Sequence, residues 1–314
     1  MNIRLSALFA LVAALAFVPG LLAAAPAPAP APASPIAPGA KLEKIAGDFG
    51  FTEGASCDAA GNVYFTDQPN NRIMKYSNDG KLTEFLKPVG RANGTKIDAA
   101  GNIIACTDEK NELWCIDVTT KKATVLVKDY QGKLLNGPND VWIRPDGGIY
   151  LSDPFTKRAY WTRGAQETPN SILFLSPDRK TLTRVTEDVT NPNGVIGTPD
   201  GKTLYVGDFG SSKTYAYDIQ NDGTLKNKRL FCTMPSDGMT LDERGNVYLT
   251  GRGVTIFDKA GTQIATIPVP DESWTGNLCF GGTDRQTLFI CASKGFYSIK
   301  MSVKGTVFPK PAEK

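Results

Sequence analysis

Short hydrophobic segments alternate with polar turn residues along the chain from residue 41 onwards. The segments are rich in Ile, Val, Leu, Phe and Tyr, and turns that contain Gly and Asp separate them. This pattern is typical of β-strands joined by tight turns, and the spacing of a long amphipathic helix does not occur. The chain is therefore predicted to be all-β.

One strand phrase recurs six times. It has a glycine turn, a hydrophobic and aromatic run, and small residues that often end in Asp, as in GNVYFTD, and its copies start at residues 61, 101, 147, 201, 245 and 285. An apolar strand precedes each copy, and one or two more follow it. Four short strands in each unit of this length are typical of propeller blades, whereas a two-sheet sandwich does not explain six similar units. We predict a six-bladed β-propeller.

The two ends of the repeat region complement each other. The sixth unit ends after its third strand near Met301, and the segment KLEKIAGD from Lys41 precedes the first unit as a lone strand. An N-terminal strand paired into the last blade would close the ring and cover exposed sheet edges. The propeller is predicted over residues 41–306, with a C-terminal tail at 307–314.

The first forty residues differ in composition. Residues 1–25 contain Arg4, an apolar run and a small-residue cleavage motif, the layout of a signal peptide; an uncleaved anchor is the alternative, but Pro19 interrupts the run. Residues 26–40 form an Ala/Pro-rich linker that favours polyproline II. We expect an exported protein, periplasmic or secreted, that leaves the membrane after signal cleavage.

The amino-acid composition limits the catalytic sites, metal sites and partners that this chain can have. The chain has no His, which excludes Ser-His-Asp and Cys-His nucleophile systems and His-ligated metal sites. The formal net charge is only +3 and no basic run stands out, so no nucleic-acid partner is expected; the oligomeric state is not indicated. Six cysteines are too few for a disulfide scaffold, although Cys106 and Cys115 could bridge two neighbouring strands if the register allowed it.

An acidic or amide residue lies eight positions before each repeat start. Such residues open the innermost strand of each blade, so their side chains should converge at one mouth of the central channel. Any one of them could be an ordinary turn residue, but the shared register favours a ring. Two carboxylates with amide oxygens suit Ca²⁺, while the absence of nitrogen and sulfur ligands disfavours Zn²⁺. The six residues are Glu53, Asn93, Asn139, Asn193, Asp237 and Asn277.

Several motifs carry a family resemblance. FTEG at 51–54, NGPNDV at 136–141, PNG at 192–194, SDGM at 236–239 and NLCFGG at 277–282 occur in order at blade spacing. With these motifs the chain resembles the SMP-30/gluconolactonase/luciferin-regenerating-enzyme-like family of metal-dependent six-bladed propellers. The resemblance implies four metal ligands, with Asn93 and Asn277 left as substrate-facing residues and Asp140 as a general base. The implied ligands are Glu53, Asn139, Asn193 and Asp237.

The function expected from these features is a Ca²⁺-dependent hydrolase of a sugar lactone or related small cyclic ester, with Zn²⁺, Mg²⁺ or Mn²⁺ as alternative cations. The metal would polarise the carbonyl group, and Asp140 or Asp237 would take the proton from the attacking water. A long loop in the third blade could form a lid, with Tyr160 and Trp161 as stacking faces for a sugar ring and Arg158 among the cations for a carboxylate or hydroxyl cluster; a solvated loop is the alternative. Trp274 is a further candidate substrate-binding residue on the same face. The alternative is a propeller that binds a ligand, or a lyase or phosphotriesterase-like relative with the same channel metal.

Overall fold

The computed structural model describes residues 34–306, which form six four-stranded antiparallel sheets and one two-stranded hairpin. Strand β1 (Glu43–Ala46) comes first in the chain. Blade 1 contains β2 (Thr52–Cys57), β3 (Val63–Asp67), β4 (Arg72–Tyr76) and β5 (Leu82–Leu86). Blade 2 contains β6 (Ala92–Ile97), β7 (Ile103–Thr107), β8 (Glu112–Ile116) and β9 (Ala123–Val127), and the hairpin of β10 (Asp129–Tyr130) and β11 (Lys133–Leu134) follows it.

The remaining four blades follow in chain order. Blade 3 contains β12 (Val141–Ile143), β13 (Ile149–Asp153), β14 (Ser171–Leu175) and β15 (Leu182–Thr186). Blade 4 contains β16 (Pro192–Gly197), β17 (Thr203–Asp208), β18 (Lys213–Ile219) and β19 (Leu225–Cys232). Blade 5 contains β20 (Met239–Leu241), β21 (Val247–Gly251), β22 (Gly253–Phe257) and β23 (Gln263–Ile267). Blade 6 contains β24 (Thr275–Gly281), β25 (Thr287–Ala292) and β26 (Gly295–Lys300), completed by β1.

The first strand of each blade lies next to the first strands of the two neighbouring blades, so β2, β6, β12, β16, β20 and β24 form a closed ring. The predicted closure is confirmed, because β1 pairs antiparallel with β26 and Glu43 lies opposite Ser298. The last blade thus combines both ends of the repeat region. The predicted six-bladed propeller with an N-terminal closing strand is correct.

The folded unit begins earlier than the sequence predicted. Ile36 forms a β-bridge with Met301, and the backbone amide of Ser302 donates to the carbonyl oxygen of Pro35 at 2.9 Å. The prediction of a linker up to residue 40 is therefore wrong for residues 34–40, because the Ala/Pro pattern does not reveal that Ile36 packs against the last blade. The expected signal peptide, the rest of the linker and the whole C-terminal tail lie outside the described residues.

Burial decreases from the inner strand of each blade to the outer strand. Every residue of β24 is buried, whereas three of the five residues of β9 and two of the five residues of β23 are exposed. The apolar clusters lie between neighbouring blades, since side chains on facing sheets interdigitate. Trp142 is fully buried in this way, and a Cβ on Gly197 of the next blade would lie only 2.3 Å from its ring.

The two cysteines that could have bridged neighbouring strands do not pair. Cys106 lies opposite Leu113 and Cys115 opposite Ile104, so the register of β7 and β8 does not bring the two cysteines together, and both thiols are free.

Residues 34–306 contain no α-helix and so no helix that is long and apolar enough to cross a membrane.

Candidate metal centre and active site

A cavity of about 390 Å³ opens where the inner strands begin. All four predicted metal ligands lie on its wall, each from a different blade, and Asn93 joins them from a fifth. The structure therefore brings together five of the six residues that the repeat register selected. The lining residues are Phe51, Glu53, Gln68, Pro69, Asn93, Asn139, Thr156, Arg158, Asn193 and Asp237.

In three blades, the Asp at the end of the repeated strand phrase holds the backbone segment that precedes a predicted metal ligand. In blade 1, Oδ1 of Asp67 accepts the backbone amides of Gly50 at 2.9 Å and Phe51 at 3.4 Å, directly before Glu53. Asp153 does the same in blade 3 for the amides of Asn136 and Gly137, directly before Asn139.

Blade 4 repeats this arrangement. Asp208 accepts the amides of Thr190 at 3.1 Å and Asn191 at 2.7 Å, just before Asn193. Because the accepting residue ends the second strand in all three blades, the ligands enter the channel at the same height. This is the physical reason for the shared register of the sequence phrase.

The two predicted carboxylate ligands influence each other; Glu53 is 2% exposed, whereas Asp237 is partly buried. Burial, followed by the negative charge of Asp237, raises the pKa of Glu53 well above its ordinary value. Burial also raises the pKa of Asp237, against hydrogen bonds from Trp274 and Glu53. Two carboxylates held together away from water are costly when both are ionised, and a cation between them would offset that cost.

Two amide side chains at the cavity, those of Asn93 and of the predicted ligand Asn193, leave acceptors free. Oδ1 of Asn93 and Oδ1 of Asn193 are buried and have no hydrogen-bond partner among the described residues. Unpaired buried oxygens next to two carboxylates fit a hard divalent cation, which takes carboxylate and amide oxygens together. Within residues 34–306 no group of three or more His, Cys, Asp or Glu residues could hold a metal, as expected for a ligand set with only two carboxylates.

Asp140 lies behind the cavity wall. Its side chain is 1% exposed, Oδ2 accepts the backbone amide of Val195 at 3.1 Å, and Oδ1 has no partner among the described residues. A Cβ on Gly94 would lie 2.5 Å from that Oδ1, so only glycine fits there. Burial raises the pKa of Asp140, while the charge of Lys96 lowers it. Of the two predicted general bases, Asp237 lies on the cavity wall and Asp140 does not.

Asn277 and Trp274 support the ligands from blade 6. Asn277 is 1% exposed, its Oδ1 accepts the amide of Leu278 at 2.9 Å, and its side chain lowers the pKa of Glu53 against the effect of burial. The indole nitrogen of Trp274 donates to Asp237 at 2.7 Å, and its ring lies 5.9 Å from that of Phe209. Both residues contact a carboxylate ligand and neither lines the cavity itself.

The third-blade loop is anchored on Asp108. The hydroxyl of Tyr160 donates to Oδ2 of Asp108 at 2.7 Å, and the indole nitrogen of Trp161 donates to its backbone oxygen at 2.6 Å. Neither aromatic ring lines the cavity. Tyr160 and Trp161, the two loop residues predicted to bind substrate, instead hold the loop on Asp108. Thr156 and Arg158 of the same loop reach the wall instead.

Sequence reasoning missed part of the wall. Phe51, Gln68 and Pro69 of blade 1 lie outside the eight-residue register, and nothing in the spacing marks them. Thr156 was not singled out because the loop has no repeat to align it, whereas Arg158 belongs to the predicted lid of this loop and does reach the wall. A signal was present for the second blade, where Asp108 ends a phrase that reads ACTD instead of YFTD.

Comparisons with known proteins agree with this architecture. The family model of the SMP-30/gluconolactonase/LRE-like region matches residues 51–294. A gluconolactonase of Zymomonas mobilis is 28% identical over 84% of this chain and 82% of its own length, and a diisopropyl-fluorophosphatase of Loligo vulgaris is 25% identical over 70% and 79%. The structure of a gluconolactonase from Xanthomonas campestris superposes with a TM-score of 0.79 at 27% identity, covering 85% of this chain and 91% of that chain. The chain therefore belongs to the SMP-30/gluconolactonase/LRE-like family.

Proposed function

We propose that this protein hydrolyses the ester bond of a sugar lactone or a related small cyclic ester, with a divalent cation, Ca²⁺ by preference, in the channel cavity. The observation that carries the proposal is the convergence of two carboxylates, the buried Glu53 and the partly buried Asp237, with two amide side chains, from four blades, on one cavity wall. Relatives named gluconolactonase and lactonase indicate a hydrolase of lactone ester bonds and so a small-molecule substrate.

Glu53, Asn139, Asn193 and Asp237 would hold the cation through oxygen atoms, and the unpaired Oδ1 of Asn193 supports this assignment. When bound, a divalent cation supplies a Lewis acid for the carbonyl oxygen of the lactone. The chain contributes the polar wall of the cavity, which orients the lactone ring.

A carboxylate must take the proton from the attacking water and return it to the ring oxygen when the ester bond breaks. The family resemblance points to Asp140, whereas the position on the cavity wall favours Asp237. The two candidates make different predictions. Asp140→Asn leaves all four ligands in place, whereas Asp237→Asn removes a ligand and a base together.

The experiment has two steps on the same preparation. Calorimetry with Ca²⁺, after removal of metal by a chelator, measures affinity, and a pH-stat assay with glucono-δ-lactone then measures acid release with and without the metal. We expect saturable binding near one ion per chain and metal-dependent acid release. Glu53→Gln and Asp237→Asn should each weaken binding at least about tenfold. Glu84→Gln, an exposed carboxylate of the same blade as Glu53, is the matched control.

The outcomes separate the alternatives. Normal Ca²⁺ affinity in both ligand variants would overturn the metal assignment. Tight binding without acid release, but with hydrolysis of a phosphotriester such as paraoxon, would favour a phosphotriesterase, the class to which the Loligo vulgaris relative points. Loss of turnover in Asp140→Asn at unchanged affinity identifies Asp140 as the base, and unchanged turnover leaves Asp237.

Export is part of the same proposal. Its support is the signal-like sequence of residues 1–25. Fractionation of cells that produce the full-length chain, with N-terminal sequencing of the product, tests it. A mature N-terminus between residues 20 and 34 outside the cytoplasm supports export, and an intact Met1 in the cytoplasm contradicts it.

A further inference from the structure

We propose that Arg158, held in place by Asp108, is the residue that selects hydroxylated lactones over lactones without hydroxyl groups. This inference rests on the proposed lactone hydrolysis and adds a specificity-determining residue to it. Arg158 lies on the wall of the same cavity as the four proposed ligands, but it comes from the third-blade loop, which has no counterpart in the other blades.

The carboxylate of Asp108 is available to hold Arg158. Asp108 lies one residue after the strand position whose Asp, in other blades, supports the backbone before a proposed metal ligand. The supporting Asp pairs with the residue before the ligand, as Asp67 does with Thr52 and Asp208 with Pro192. In blade 2 that position is Thr107, which lies opposite Ala92.

The segment before Asn93 has a different support in this blade. Oδ1 of Asn71 accepts the amides of Val89 at 2.9 Å and Arg91 at 2.8 Å. The carboxylate of Asp108 is therefore not needed for backbone support, and it is directed at the third-blade loop.

Three donors converge on one oxygen of Asp108. Its Oδ2 accepts Nε of Arg158 at 2.7 Å, the hydroxyl of Tyr160 at 2.7 Å and Nε2 of Gln68 at 3.0 Å. Asp108 has a side chain only 4% exposed, so these bonds are shielded from water. The guanidinium of Arg91 lies 4.4 Å from the ring centre of Tyr160 and so packs against the tyrosine that is bonded to Asp108. Arg158 is thereby fixed at its Nε.

The network presents a matched donor and acceptor to the cavity. None of the described residues accepts a hydrogen bond from the two terminal nitrogens of Arg158, whose side chain is 29% exposed. Gln68 also lines the cavity, and a carboxylate can only accept, so its amide nitrogen faces Asp108 and its oxygen is left over. A donor beside an acceptor is complementary to a hydroxyl group, which does both.

The same arrangement disfavours an anionic substrate group. Asp108 already balances the charge of Arg158, and the free oxygen of Gln68 would repel a carboxylate. Phe51 and Pro69 add apolar surface that suits the face of a sugar ring. The substrate class that suits this part of the cavity is therefore a neutral lactone with ring hydroxyls.

The test compares two lactones that differ in hydroxyl groups. Initial rates with glucono-δ-lactone and δ-valerolactone are measured for the metal-loaded full chain and for Arg158→Met, Asp108→Asn and Lys157→Met. A site built to bond a substrate hydroxyl loses much of its preference when the partner is removed. We expect kcat/KM for glucono-δ-lactone to fall at least about tenfold in Arg158→Met, mainly through KM, with less than about a twofold change for δ-valerolactone.

Asp108→Asn should show the same selective loss, about three- to tenfold, because it disturbs the orientation of Arg158 without removing it. Lys157→Met removes the same charge from an exposed neighbour and should change neither substrate. Equal losses for both lactones, or none, overturn the role of Arg158 while the lactonase proposal stands. If the unmodified protein hydrolyses neither lactone, the proposed function fails, and the role of Arg158 is overturned with it.

Discussion

The indole nitrogen of Trp274 donates a hydrogen bond of 2.7 Å to Oδ2 of Asp237. This bond joins blade 6 to the ligand that precedes β20 of blade 5, so the carboxylate is oriented from outside its own blade. One of its oxygens is thereby occupied, and Asp237 itself lines the cavity. Partners of this kind commonly tune metal affinity although they do not touch the metal.

We expect Trp274→Phe to weaken binding of Ca²⁺ about tenfold, because the ring remains and the donor is lost. Calorimetry on chelator-treated protein measures the change. Trp114→Phe is the matched control, since its indole nitrogen donates to Glu112 at 2.7 Å on the third strand of blade 2, away from the cavity. Equal affinities in the two variants would show that the bond to Asp237 does not matter for the metal.

Asp208 allows a test of the segment that carries a ligand. Asp208→Asn keeps the shape of the side chain but leaves only one oxygen to accept the amides of Thr190 and Asn191. The free energy of unfolding should fall by about 1–3 kcal/mol, the usual cost of a buried unpaired donor. Urea denaturation measures this loss, and Ca²⁺ affinity should fall with it because Asn193 follows directly.

The control for this prediction is Asp200→Asn in an exposed turn of the same blade, where a change within about 0.5 kcal/mol is expected. A loss of stability without a loss of affinity would restrict Asp208 to a structural role.

The sequence was sufficient for the fold and for the convergence of five register residues on one cavity, because both follow from a repeat. Glu53 and Asn193 occupy equivalent positions in different blades, and an eight-residue count finds them without any coordinates. Arg158 and Gln68 could not be found this way. Their positions depend on the path of one irregular loop and on blade 2 having Thr107 in the supporting position, with the Asp one residue later at Asp108. Likewise, the contact of Ile36 with the last blade is tertiary and leaves no mark in an Ala/Pro-rich composition.

Asp153 should make stability depend on pH. Burial raises its pKa to about 6 in the folded protein, against the amide bonds of Asn136 and Gly137 that lower it, whereas an unfolded Asp has a pKa near 3.9. The folded state thus holds a proton more tightly. Its stabilising contribution is complete below about pH 4 and is lost as the pH rises through about 6.

The measurement is the free energy of unfolding in urea at pH 4, 5, 6 and 7 for the unmodified protein and Asp153→Asn. The stability of the unmodified protein relative to the variant should fall by about 2–3 kcal/mol between pH 4 and 7. Other titrating groups cancel in this difference. A difference that does not change with pH would contradict the raised pKa.

Gly276 provides a steric test of Glu53. A Cβ at Gly276 would lie 2.7 Å from Oε1 of Glu53, so Gly276→Ala must displace the carboxylate. We expect Ca²⁺ affinity to fall at least about tenfold, with a modest loss of stability. Gly164→Ala is the control, because no atom lies within 4 Å of a Cβ there. Unchanged affinity in Gly276→Ala would mean that Glu53 is not held in the position on which the metal proposal depends.

The N-terminal strand should be essential for closure of the ring. Removal of residues 1–33 leaves Ile36 and all of β1 in place, and the stability of the propeller should not change. Removal of residues 1–46 exposes the edge of β26 and the apolar side chains that Leu42 and Ile45 cover. The free energy of unfolding should then fall by about 2–4 kcal/mol, and the free edge should promote association of chains. Urea denaturation and size-exclusion chromatography measure both effects. If the shorter chain is as stable and as dispersed as the longer one, blade 6 does not need its fourth strand, and closure of the ring rests on contacts between the inner strands alone.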